Sequence, residues 1–203
     1  MGNSSSTQCM PAALDDNGND VVVVVVVVGE EEFHESRDFL CSWSGYFKDE
    51  LTKNPERKRF DFSKQRPSEW NLLKKAVIAL QPPFAEESSV NASNYHVLLP
   101  WFAELRCEDG LRQTDMVILK GLVEPLMAKP EKERTPEDTQ AIVTVLERCV
   151  MWKRDYPKEK CATFLSQVLQ DPKQPFDPKE VCRVALLLSK DDTCQKALWK
   201  SVV

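Results

Sequence analysis

From about residue 31 onward, apolar side chains recur at helical spacing. Phe33, Phe39, Leu40, Trp43, Phe47 and Leu51 make a first apolar face. Trp70, Leu72, Leu73, Ala76, Val77 and Leu80 make a second, entered at Ser68 and stopped by Pro82-Pro83. A third runs through Val97, Leu98, Trp101, Phe102 and Leu105 behind Ser93 and is closed by Gly110; Pro100 within it predicts a kink or a late start. Thr114 leads Val117, Ile118, Leu122, Val123 and Leu126.

The clearest helix starts come next. Thr135-Pro136-Glu137-Asp138 sets a side-chain cap before a proline, whose missing N–H is one of the orphan donors anyway, and puts carboxylates on the positive end of the helix. Asp177-Pro178-Lys179-Glu180 repeats that arrangement. The first start leads Ile142, Val145, Leu146, Cys149 and Val150; the second leads Val181, Val184, Ala185, Leu187 and Leu188. Between them Pro157 precedes Phe164, Leu165, Val168 and Leu169, and a last helix is expected over Ala197, Leu198, Trp199 and Val202. Strand alternation is nearly absent. The pattern predicts an all-α fold of seven or eight helices, either a compact multi-helix bundle or a short HEAT/armadillo-like helical stack; the interval from Pro136 to Pro178 holds two helices, as such a repeat does.

Residues 1–29 are polar, small or low in complexity and read as a disordered acidic arm, leaving residues 30–203 as the all-α domain. Val21–Val28 is far shorter than the roughly 18 apolar residues of a membrane-spanning helix. It reads as a low-complexity expansion in a linker, with Asp20 and Glu30-Glu31-Glu32 as gatekeepers against aggregation.

Composition narrows the function classes. A 203-residue chain with 42% hydrophobic and 29% charged residues has room for one domain plus an arm. Its net charge of −5 argues against nucleic acid as a general partner. The charge is uneven, however: residues 1–52 hold ten acidic and two basic side chains, whereas residues 53–75 hold eight basic and three acidic. Seven cysteines show no C-x-x-C pair and no histidine at ligand spacing, so they read as reduced thiols, with Cys149, Cys161 and Cys182 on apolar stripes. No metal or other cofactor is expected. The two histidines, His34 and His96, accompany no nucleophile or zinc motif, and Glu86-Glu87 and Asp191-Asp192 read as solvated acids. The chain is expected not to be an enzyme. Trp152-Lys153-Arg154-Asp155-Tyr156, where a helix ends between apolar and charged residues, is the segment that reads as a partner-binding corner.

The start of the chain carries the sharpest signal. Met-Gly-Asn-Ser-Ser-Ser places Gly2 for exposure as a free α-amine and Ser6 four positions on, the pattern of an N-myristoylation site. One myristoyl chain binds membranes only marginally, so a second attachment is needed. Cys9 is a candidate for palmitoylation, and Lys53, Arg57, Lys58, Arg59, Lys64 and Arg66, with Lys74 and Lys75 beyond, are candidates for contact with an anionic leaflet. Together these features predict a non-enzymatic myristoylated adaptor or scaffold, cytoplasmic and peripheral at the inner face of a membrane. Its partners would be the anionic membrane surface and an unidentified protein. A soluble helical interaction domain is what remains if Gly2 is not acylated.

Gly2, the basic block around Arg57–Arg66 and the helical pattern together resemble, in architecture, the matrix domain at the front of retroviral Gag proteins. That resemblance implies membrane targeting with self-association during assembly. The chain departs from it in the acidic, valine-rich arm between lipid and basic block, and in its length.

Overall fold

The computed structural model describes residues 13–14, 20–80, 90–130, 133–170 and 178–196. Gly2, Cys9, Pro82-Pro83 and the expected helix at Ala197–Val202 lie outside the described residues. The chain divides into two compact units, Met1–Leu72 and Leu73–Val203.

The first unit is not all-α, which corrects the expectation for this part of the chain. Two short strands, β1 (Ala13–Leu14) and β2 (Asp20–Val21), pair antiparallel. The valines expected to lie in a linker form β3 (Val23–Val28), the central strand of a three-stranded sheet. β4 (Glu31–Ser36) pairs antiparallel on one side of it, and β5 (Arg59–Phe62) pairs parallel on the other. Gly29 and Glu30 make the two-residue turn between β3 and β4, with Gly29 at φ +61 and Glu30 on the ordinary side, as in a II′ hairpin. A side chain at Gly29 would be strained: besides its φ, a Cβ there would lie 3.0 Å from Cδ of Pro67. Val24, Val26 and Val28 have no exposed surface at all. A homopolymer has no alternation to betray a strand, which is why periodicity missed it.

The crossover from β4 to β5 is made by α1 (Arg37–Trp43) and α2 (Gly45–Lys53). Their starts are capped by Ser36 and Ser44, whose hydroxyls accept from the N–H groups of Phe39 and Phe47. Phe47, Phe60, Phe62 and Trp70 pack together with Trp43, Tyr46 and Phe33, Phe47 meeting Phe60 edge-on at 4.9 Å between ring centres. The buried Glu35 carboxylate accepts from the Trp70 indole N–H at 3.2 Å.

Helix α3 (Pro67–Leu80) runs across the boundary between the units. Every regular element among the described residues of the second unit is helical, as expected. α4 (Tyr95–Glu104) runs through Pro100 from its start at Tyr95. α5 (Glu108–Met116), a π-helical segment at Val117–Val123 and α6 (Glu124–Ala128) follow one another without a break. The widened turn has a local cause. Pro125 cannot donate to the carbonyl four residues back and its ring crowds that position, and the N–H of Glu124 bonds the carbonyl of Leu119, five residues back. Gly110, expected to end a helix, lies inside α5, where a Cβ would meet the Phe102 ring at 2.4 Å.

α7 (Pro136–Met151) opens on the expected cap: Thr135 accepts from the Asp138 N–H while Asp138 accepts from the Thr135 N–H. α8 (Asp155–Gln170) lies against α7, and both touch the π-helical segment; α9 (Pro178–Ser189) packs on α8. The core between them is aliphatic and thiol-rich, with Ile118, Ile142, Leu146, Cys149, Cys161, Leu165 and Val184 fully buried. Burial pushes the Cys149 and Cys194 thiols up to about 12 and Cys161 upward as well, so all three remain protonated at neutral pH. Cys182, expected on an apolar stripe, is exposed instead.

Candidate functional site

In the first unit the basic block is only partly available. Arg57 bonds Glu50 at 2.6 Å and its guanidinium lies 4.2 Å from the centre of the Phe60 ring. Lys53 stands 3.6 Å from the same Glu50, and Arg59 bonds Glu32 at 2.7 Å. Counting charges along residues 53–75 missed this, because Glu32 and Glu50 come from outside that stretch and reach it only through the fold. Lys58, Lys64 and Arg66 are exposed and form no ion pair among the described residues. Lys58 precedes β5 and the other two follow it, so they flank a strand about 13 Å long.

The second unit holds an open groove of about 620 Å³, built from two helix ends of the same design. Where α4 stops, Arg106 turns to φ +53, its N–H bonds the Ala103 carbonyl, and the Cys107 N–H reaches back to the Phe102 carbonyl at 2.8 Å. Where α7 stops, Lys153 turns to φ +53, its N–H bonds the Val150 carbonyl, and the Arg154 N–H reaches the Cys149 carbonyl at 2.8 Å. Both are Schellman closures, which ordinarily place glycine at the left-handed position. In each case the next helix starts after a three-residue turn, Leu105–Cys107 or Trp152–Arg154.

Arg106 and Lys153 are the non-glycine residues with positive φ among the described residues. A side chain in this conformation costs about 1–2 kcal/mol. An exposed cation at a helix C-terminus returns only about 0.3–1 kcal/mol from the helix dipole. The helix dipole alone therefore does not offset the conformational cost at either position.

Ala103, Leu111, Trp152 and Met151 provide the apolar lining. Leu111 is buried, Trp152 half-buried, and Met151 is 68% exposed at the end of α7. Arg154 does not compete for a ligand, because its guanidinium is forked onto the two Asp115 carboxylate oxygens at 2.9 and 2.6 Å. That fork, helped by the Asp115 charge, raises the Arg154 pKa against the opposing effect of burial and ties the α7–α8 turn to α5. Glu104 and Glu108 complete the lining. Burial pushes the neighbouring Cys107 thiol up to about 11, so it is no nucleophile at neutral pH.

Of the segment singled out in the sequence, Trp152, Lys153 and Arg154 line this groove, while Tyr156 is exposed with the Lys160 ammonium 5.9 Å from its ring centre. The Leu105–Cys107 turn escaped the sequence reading because no glycine marks it. A helical stripe ending at Leu105 and restarting at Leu111 was the only available signal.

A buried cation lies farther along the second unit. Lys158 is 5% exposed and bonds Asp155 and Asp191, each at 2.9 Å. Asp191, expected as a solvated acid, also accepts from the N–H groups of Thr193 and Cys194. Among the described residues no group of three or more His, Cys, Asp or Glu side chains is placed to hold a metal ion, and no helix is long and apolar enough to cross a membrane. No family model matches the chain, and neither does any curated protein.

Proposed function

We propose that the chain is a non-enzymatic, myristoylated adaptor held reversibly at the inner face of a membrane. The observation that carries this reading is Gly2 followed by Asn3-Ser4-Ser5-Ser6, with Cys9 as the site of a second acyl chain. Lys58, Lys64 and Arg66 are the cations of the basic block left to face anionic lipid; at about 1 kcal/mol each they would turn a transient myristoyl contact into residence. Lys53, Arg57 and Arg59 contribute less, since Glu50 and Glu32 offset two of their three charges.

The second unit is the protein-binding part of this adaptor. The matching closures at Arg106 and Lys153 recur at the interval of a HEAT/armadillo-like helical hairpin, which supports the stacked alternative over a single compact bundle. The groove they form is the kind of concave, partly apolar surface on which a partner settles.

Intact-mass spectrometry of the protein from eukaryotic cells, beside Gly2→Ala, tests the lipid. A myristoyl mass shift present in the parent and lost in the variant is expected. Co-sedimentation with phosphatidylserine vesicles should then fall in Lys58→Glu/Lys64→Glu/Arg66→Glu and change little in Arg59→Glu. An unmodified or acetylated Gly2 would overturn the membrane role and leave a soluble helical interaction domain. Self-association of the acylated protein on those vesicles would favour the matrix-type reading.

A further inference from the structure

We infer that the free edge of β4 is a docking site for an extended basic peptide, which adds to the sheet as a fourth strand. This goes beyond the adaptor reading and sets a second docking surface in the first unit. The Val25 and Gly29 N–H groups donate to the Lys58 and Phe62 carbonyls, so the odd-numbered residues of this stretch serve β5. The even-numbered Val24, Val26 and Val28 therefore serve β4, through Glu35, Phe33 and Glu31. Glu32 and His34, lying between these, turn their N–H and C=O groups outward, where no described residue bonds them. The other edge of the sheet is partly closed: the Arg57 guanidinium donates to the outward Arg59 carbonyl at 3.2 Å. An open row of backbone groups is the template on which a strand adds.

The side chains along the edge specify the incoming strand. Glu32 and His34 are exposed on one face of β4, and Glu31 and the half-buried Phe33 lie on the other. Glu30 and Glu31 form no ion pair among the described residues, and Glu32 shares its charge with Arg59 across β3. A lysine opposite Glu32 meets an acid, and a β-branched residue opposite Phe33 covers its ring, which calls for alternating basic and apolar positions. Glu30 and Glu31, at the hairpin end, add to the attraction. A second copy of β4 would bring the same acids near their own counterparts, which opposes self-pairing. The sheet as a whole is polarised: Lys58 and Lys64 flank β5, while the free acids lie at β4, two strand spacings or about 10 Å away. An anionic surface that attracts the β5 edge repels the β4 edge and leaves it open to a protein.

The test uses the full, unacylated chain, so that failure of the lipid reading does not affect it. The probe is fluorescein-labelled Thr-Lys-Val-Lys-Val-Lys-Thr. One control carries glutamate in place of lysine; in the other the lysines are N-methylated on the backbone, which keeps the charge and removes the donors. Fluorescence anisotropy should show saturable binding of the parent peptide below 1 mM, and binding of both controls weaker by about fivefold or more. At saturation, amide exchange followed by NMR should slow at Glu32 and His34 and change little at Phe33, whose N–H faces β3. Glu31→Gln/Glu32→Gln should weaken the peptide by about fivefold. His34→Pro, which removes one outward N–H at an edge position that tolerates proline, should weaken it as much while thermal melting stays cooperative. No binding up to 1 mM overturns the proposal and leaves the acids as guards against aggregation. Equal binding of the N-methylated peptide overturns it in favour of charge alone, and unchanged exchange at Glu32 and His34 overturns it by putting the peptide elsewhere. A concentration-dependent dimer lost in His34→Pro would overturn it in favour of a second copy.

Discussion

The two units bury opposite charges by different means. The first holds an acid, Glu35, inside an aromatic cluster, with the neutral indole of Trp70 as one donor. The second holds a base, Lys158, between two carboxylates in an aliphatic surround. The first is assembled from pairings distant in sequence, since β3 meets β5 only after the α1–α2 crossover. The second is assembled mostly from neighbours, α5 packing on α4, α8 on α7 and α9 on α8. The contrast teaches where cooperativity should reside. A fault in the central strand has no local alternative to fall back on, whereas a fault in one hairpin is shared with its neighbours.

The largest expected effect is therefore at the centre of the sheet. Val26→Asp puts an unpaired carboxylate at a position with no exposed surface, between two strands, and should cost on the order of 4 kcal/mol or more. Amide exchange should show β3, β4 and β5 losing protection together. Retained protection in β5 alone would contradict the cooperative picture.

Two glycines of the second unit provide an intermediate test with opposite signs. Gly110→Ala drives a methyl group to 2.4 Å from the Phe102 ring and should lower stability by about 1–3 kcal/mol. Gly121→Ala, in the π-helical segment, meets nothing within 4 Å and should raise it by about 0.5–1 kcal/mol. Urea denaturation of the two variants checks both. Equal destabilisation would mean that the segment needs Gly121 for its backbone.

The smallest effect is the pH dependence of the Lys158 clasp. Burial works against the charge of Asp191, but the Lys158 ammonium and two backbone N–H groups outweigh it and hold the carboxyl below its ordinary value. A depressed acid adds stability above its unfolded pKa and loses it as pH falls, so this contribution fades below about pH 4. Burial likewise opposes the Lys158 charge, and the Asp155 and Asp191 carboxylates overcome it, raising the pKa. A raised lysine adds stability below its unfolded pKa, about 10.4, and loses it as pH climbs through the folded value. Urea midpoints measured across pH should fall at both ends, and Lys158→Met should flatten both limbs. Unchanged limbs would show that the clasp is energetically neutral.

The same contrast explains what could be read from the sequence. Thr135 and Pro136 announce α7 because a cap and its helix lie within four residues of each other. The sheet could not be read that way. Val23–Val28 has no period, and the signal that remained was Gly29-Glu30 between a β-branched run and a segment in which Phe33 and Glu35 turn inward. The availability of the basic block was hidden because Glu32 and Glu50 arrive from elsewhere in the chain. At the groove, Trp152–Arg154 stood out by composition, while the matching turn at Arg106 was masked by the absence of glycine.

The valine run has a consequence for how this chain tolerates changes in length. A tract of identical residues has no internal address, so losing any one valine yields the same molecule. The Gly29 turn fixes the strand at its far end, and the shortfall appears next to Asp20. Loss of one or two valines moves Asp20 no farther than the place of Val22, which is already exposed. Loss of four brings it to the place of Val24, where there is no water to receive it. Replication slippage in such a tract is thus silent over its first steps and abruptly damaging after them.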